Sequence, residues 1–150
     1  MRYFEDVGVG EVDALGSHTF TESEIVDFAT RYDPQPFHVD PAAARTTIFG
    51  GLIASGWHTC AVMMRLSVEA ARRAEAAVTG SPGIDSCRWV KPVRPGDTLS
   101  GRSEVLESWP ARSRPFGFVR RRIELRNQRD ELVLSVVGVT MYRCREESAG

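Results

Sequence analysis

Asp33 and His38 stand five residues apart in Asp33-Pro34-Gln35-Pro36-Phe37-His38. A carboxylate and an imidazole at that spacing are a minimal acid/base pair, able to take a proton from a water molecule and return one to a neighbouring carbon. Pro34 and Pro36 disfavour helical geometry at the residues before them and hold their own φ near −65°. The pair is therefore expected on a stiff, extended, non-helical arc. The same residues admit a plainer reading, in which the aspartate caps a chain end and the prolines shape a connection.

Both flanks are built to anchor that arc. Thr21 and Glu24 form a capping-box signature, and Ile25, Phe28, Ala29 and Tyr32 recur at helical spacing, which predicts one apolar stripe on a short helix. Downstream, Asp40 is placed to N-cap a short helix over about 41–46, with Pro41 at its first position. A rigid loop between two helices is a good device for holding catalytic geometry.

These residues resemble the hydratase signature of the MaoC-like (R)-specific enoyl-CoA hydratases. The resemblance continues through Phe49-Gly50-Gly51-Leu52-Ile53-Ala54-Ser55-Gly56, similar to the family segment leading into the central helix. It extends to Lys91-Pro92-Val93-Arg94-Pro95-Gly96-Asp97, similar to its strand-turn-strand element, and in all covers roughly residues 20–142. It implies an α+β hot-dog fold, an antiparallel sheet wrapped around a long central helix. It also implies Asp33 and His38 as the catalytic pair, which of them donates the proton being open, and the Gly56 amide as the donor to the thioester oxygen. Gly56 has a second reading, as a glycine used only for helix–sheet packing. Two positions depart from the family pattern, Gln35 where Asn is usual and Ser55 where His is frequent. With Phe37 and Trp57 they make the expected substrate-binding set, and the two aromatics imply a short or branched acyl group.

Composition sets the outer limits. One hundred and fifty residues suit a single domain over 1–150 that buries about 70% of its unfolded surface. The formal charge of −1 argues against general nucleic-acid binding. Of the 19 basic residues only Lys91 is a lysine. Cys60, Cys87 and Cys144 are sparse and odd in number, which argues against a disulfide framework. His18, His38 and His58 show no metal-ligand spacing, so no metal is expected. The N-terminus lacks the apolar core of a signal peptide, and the longest apolar-rich run, 132–142, is too short to span a bilayer. The expectation is a cytoplasmic protein with no membrane partner.

Along the chain, residues 1–20 read as loops with a short strand near 17–21. A helix is expected from Ser55 to about Ala77, apolar nearly all round in its first half and carrying Cys60, Met64, Val68 and Ala71 on one face. Thr79-Gly80-Ser81-Pro82-Gly83 reads as its stop. Strands follow over about 84–91, 98–108, 116–127 and 131–143, and 144–150 reads as a frayed tail. In the third strand Val119, Arg121, Ile123 and Leu125 share the apolar face; Arg121 has two readings, a contact to ligand phosphate and a stem lining the core edge with its head in water, and the second is the expectation. His58 reads as a packing or surface residue.

The resemblance implies reversible hydration of a trans-2-enoyl-CoA to an (R)-3-hydroxyacyl-CoA. It implies no cofactor beyond the coenzyme A of the substrate, and a homodimer or an assembly of dimers. Two alternatives stay open: an acyl-CoA thioesterase, and a non-catalytic acyl-CoA-binding protein of the same fold.

Overall fold

A computed structural model describes residues 1–146. After a 3-10 turn at Phe4–Asp6, the chain forms strand β1 (Val12–Thr19) and helices α1 (Glu22–Tyr32), α2 (Pro36–Val39), α3 (Pro41–Ala44) and α4 (Gly56–Arg73). Strands β2 (Val78–Trp89), β3 (Thr98–Pro110), β4 (Phe116–Arg126) and β5 (Leu132–Arg143) follow. The five strands make one sheet in the order β1-β3-β4-β5-β2, every pair antiparallel. This sheet and its central helix are the hot-dog layout that the resemblance implies.

Strand periodicity builds the inner face. Leu99, Leu125, Val133 and Leu134 are each at most 1% exposed, and they pack with Leu15 and Phe20 against Met63 and Leu66 of α4. A smaller cluster of Val7, Val105, Val119 and Tyr142 closes the other end of the sheet. Such alternation, apolar inward and charged outward, is what lets a sheet cover one helix.

Several expectations are corrected. β1 begins at Val12, well before Ser17, with a register shift between Ala14 and Gly16, where Gly16 takes φ +100°. Helix α4 stops at Arg73 rather than near Ala77, and Glu75 adopts a left-handed φ of 48°. The helix propensity of the Ala76-Ala77 pair is overridden by pairing, since the Ala77 amide donates to Arg2 and its carbonyl accepts from Arg143. Thr79 to Gly83 lie inside β2, which absorbs Gly80 and Gly83 as register shifts. β2 is an edge strand, where a proline and bulges are tolerated.

Burial corrects others. Met64 and Val68 are 52% and 41% exposed, and α4 turns Val62, Met63 and Leu66 inward instead. Tyr32 lies exposed at the end of α1. The Arg121 head does not reach water. It is buried, pairs with Asp13 at 3.0 Å, and donates to Ser103 Oγ and to the Tyr142 hydroxyl. Of the expected frayed tail, 147–150 fall outside the described residues, whereas the Cys144 amide is bonded to Pro115 and Arg145 pairs with Asp6.

Candidate active site

The site is assembled by short elements that interrupt one another. Thr21 caps α1 by accepting from the Glu24 amide. The helix ends at Asp33, whose own amide still bonds to Ala29 while its φ of −154° leaves the helical region. The expected extended arc then proves half wrong. Pro34 keeps Asp33 out of the helix, but Pro36 sits at the first position of α2, so His38 is carried on a single helical turn. Proline at a first helical position loses no hydrogen bond, which is why the same residue that forbids helix at Gln35 begins one at itself. Asp40 caps α3 by accepting from the Ala42 and Ala43 amides.

His38 is 6% exposed and its ring is oriented from behind. Nδ1 lies 2.7 Å from the Ile53 carbonyl oxygen. A carbonyl can only accept, so Nδ1 donates and Nε2 is left to face Asp33 Oδ2 at 3.3 Å. Ser55 Oγ donates to the same Oδ2 at 2.7 Å and accepts from the Trp57 amide, which makes Ser55 the N-cap of α4. Among the described residues nothing donates to Asp33 Oδ1, which remains free for a ligand. The strap carrying Ile53 is itself held, by Ile53 to the Phe37 carbonyl and by Ala54 to the Val93 carbonyl.

A cavity of about 470 Å³ opens beside the pair, lined in part by Asp33, Phe37, His38, Gly56, Trp57 and Trp89. Gly56 is the first residue of α4, a position whose amide has no intrahelical partner. Among the described residues it has no other acceptor. The helix dipole adds positive potential at that point. The absence of a Cβ is required by packing too: one built at Gly56 would lie 2.5 Å from Trp89 Nε1. Trp89 Nε1 donates to the Gly56 carbonyl at 2.8 Å. The packing reading of Gly56 holds in this geometry, and the same geometry leaves its amide without an acceptor among the described residues.

The other expected residues divide. Phe37 lines the cavity, edge-on to His38 with ring centroids 4.5 Å apart, and Trp57 lines it while 62% exposed. Ser55 is fully buried and touches the carboxylate rather than the cavity. Gln35 is exposed, outside the lining, and contributes only its backbone to α2. Trp89 and the Ile53 carbonyl are groups of this candidate site that residue typing missed. Trp89 lies two residues before the Lys91-Pro92 element, so a strand-face count back from that motif could have found it. A larger cavity of about 610 Å³ lies along the other half of α4. The polar groups of its wall include the satisfied Arg121–Asp13–Ser103–Tyr142 network.

His58 packs as expected, stacked on Phe28 at 4.8 Å and edge-on to Phe20. His18 Nε2 and His58 Nε2 share the Glu24 carboxylate at 2.5 and 3.4 Å. Among the described residues no cluster of His, Cys, Asp and Glu is arranged to hold a metal ion. Burial holds the His58 ring below its ordinary titration range, against the opposing pull of Glu24. A depressed folded value means that the unfolded chain binds the proton more readily, so stability is lost as pH falls through the unfolded value of about 6.5. The melting temperature is expected to fall between pH 7 and pH 5, with a shallower slope in His58→Gln. Equal slopes in parent and variant would show that this ring does not set the dependence.

Comparison with known proteins bears on the family and the fold. The family model described as "MaoC like domain" matches residues 9–121. An uncharacterized Bacillus subtilis protein, YdeM, is 32% identical over 109 residues, covering 73% of this chain and 77% of its own. The crystal structure of a MaoC-like dehydratase from Rhodospirillum rubrum superposes with TM-score 0.87 at 37% identity, over 97% of this chain and 99% of that one. R-hydratase PhaJ1 from Pseudomonas aeruginosa, unliganded, gives TM-score 0.67 at 25% identity, over 99% and 92%. No helix among the described residues is long and apolar enough to cross a membrane. In sequence and in fold alike, the chain belongs to the MaoC-like domain family.

Proposed function

We propose that this protein reversibly hydrates a trans-2-enoyl-CoA to an (R)-3-hydroxyacyl-CoA. The observation that carries the reading is the contact of His38 Nε2 with Asp33 Oδ2 at 3.3 Å, beside a cavity lined in part by Gly56, whose amide has no acceptor among the described residues. Water held by the free Oδ1 of Asp33 would add to the β-carbon. The thioester oxygen, as it gains enolate charge, would take the Gly56 N–H, a donor already in place and aided by the helix dipole. The Asp33/His38 pair would manage both protons, one leaving the water and one arriving at the α-carbon. The reaction is redox-neutral, and the coenzyme A of the substrate is the one cofactor it calls for. The likeness to the Pseudomonas aeruginosa R-hydratase supports the reaction class.

Phe37 and Trp57 narrow the cavity and favour a short or branched acyl group. A homodimer, or an assembly of dimers, would cover the outward apolar residues Trp57, Met64, Val68 and Ile84, each more than 40% exposed on the single chain. Met64, Val68 and Ile84 line one cavity together, and exposed apolar surface shared in this way commonly marks an interface. The site of action is proposed to be the cytoplasm. A panel of enoyl-CoAs of varied length and branching tests the reading, with double-bond loss and thiol release followed together and light scattering on the same preparation. Loss of the conjugated double bond without thiol release, by a dimer or a multiple of it, is expected. Thiol release instead would make the protein a thioesterase, and binding without turnover would make it an acyl-CoA binder.

A further inference from the structure

Cys60 and Cys87 are 27 residues apart in sequence, yet their sulfurs lie 3.7 Å apart. Cys60 is one helical turn beyond Gly56 on α4, and Cys87 is two residues before Trp89 on β2. Residues i and i+4 share a helix face, and i and i+2 share a strand face. Gly56–Trp89 and Cys60–Cys87 are therefore successive rungs between the same two elements. The first rung is tied by the Trp89 hydrogen bond to the Gly56 carbonyl, while the second holds two free, half-buried thiols. β2 is paired within the sheet on one side only, to β5.

We propose that Cys60 and Cys87 are a reversible oxidation site, whose disulfide ties α4 to β2 one turn from the Gly56 amide. The oxidant is a small disulfide of the glutathione class. The Cys87 thiolate attacks one sulfur of that disulfide, forming a mixed disulfide and releasing one small thiolate. Cys60 then attacks the Cys87 sulfur, forming the Cys60–Cys87 bond and releasing the second. The chain gives up two electrons and two protons, and the oxidant leaves as two thiols. Burial, and then the neighbouring Cys87, push the Cys60 thiol up to about 12, which suits it poorly to the first attack. Once Cys87 is capped as a mixed disulfide its opposing charge is gone, and Cys60, with its sulfur 3.7 Å away, is the thiol placed to resolve it.

Bonding requires the sulfurs to close from 3.7 Å to about 2.0 Å. That approach draws β2 toward α4 beside Gly56 and Trp89, both in the lining of the catalytic cavity. Where part of that closure is passed to Gly56 a positioned donor is displaced, and turnover is expected to fall roughly tenfold or more.

The test treats reduced protein with oxidised glutathione and reads intact mass, free thiols, disulfide peptides and melting temperature. The expected product has lost two hydrogen masses, retains one thiol, at Cys144, and melts roughly 5–10 °C higher. Cys60→Ala and Cys87→Ala should each abolish the change, either one sufficing if the other does not fold, and Cys144→Ser should keep it. A persistent glutathione adduct, a link through Cys144, or a mapped cross-link without thermal effect would overturn the proposal. The turnover arm rests on the hydratase reading: the oxidised enzyme should be slower and recover with dithiothreitol. A reduced protein inactive on every enoyl-CoA would count against that reading while leaving the mass and thermal tests decisive. An active enzyme indifferent to the mapped cross-link would overturn the coupling to the site.

Discussion

Asp33→Asn is expected to lose roughly 10²–10⁴-fold in turnover of an enoyl-CoA while staying folded. The substitution keeps the shape and the backbone that closes α1, and the Ser55 hydroxyl still finds an amide oxygen. What it removes is the charge that faces His38 and the free Oδ1 beside the cavity. His38→Gln should lose a comparable amount, and the double variant should be hardly worse than either single one, because the pair is proposed to act as a unit. Melting temperature should not fall in Asp33→Asn, since carboxylates kept for chemistry are commonly a stability liability. If the pair were only a chain-end cap, the variants would be destabilised and the activity per folded molecule near normal. Turnover and melting temperature on the same three samples separate the two. Folded Asp33→Asn with activity within a few-fold of the parent would end the hydratase assignment.

The second large effect belongs to Gly56→Ala. Its methyl would stand 2.5 Å from Trp89 Nε1 and 2.6 Å from Cε2, so the indole has to move and its bond to the Gly56 carbonyl is lost. Overpacking of this kind costs about 1–3 kcal/mol. Displacing the amide proposed to meet the enolate oxygen is expected to cost roughly 10²–10³ in kcat. Adding Trp89→Ala should relieve the clash and return much of the melting temperature. It should return only part of the activity, because Trp89 also forms a wall of the cavity. Gly56→Ala with the parent's turnover would show that this amide carries no charge in the reaction.

What could be read in the sequence is what local chemistry decides. The Thr21 and Asp40 caps, the strand alternation of 116–126 and the helix beginning at Ser55 are each written within a few residues, and the structure keeps them. The juxtaposition of Asp33, His38 and Gly56 around one cavity was legible through the order of the motifs. Long-range pairing was less legible. Pro82 and the glycines beside it announce a turn by residue type, and only the position of β2 at the sheet edge makes them strand. Arg121 reads as a snorkelling side chain until Asp13, 108 residues away, is seen to meet it. Ser55 shows the same limit from the other side. Its type suits a cap or a ligand contact, and nothing local says that its hydroxyl also spans 22 residues to Asp33.

The strand order has a consequence for how the chain acquires its shape. β5 is the last strand made, yet it lies inside the sheet, between β4 and β2. The β3–β4 hairpin can form as soon as it is synthesised, since its partners are adjacent in the chain. β2 cannot, because Val78 waits for Tyr142 and Trp89 for Leu134. During synthesis α4 and β2 therefore emerge long before their template, with Trp57, Met64, Val68 and Ile84 outward and the inner face uncovered. Contacts this distant in sequence are entropically late and slow folding. The nascent chain passes through a sticky interval that ends only when its last strand inserts, and chaperone demand should be concentrated there.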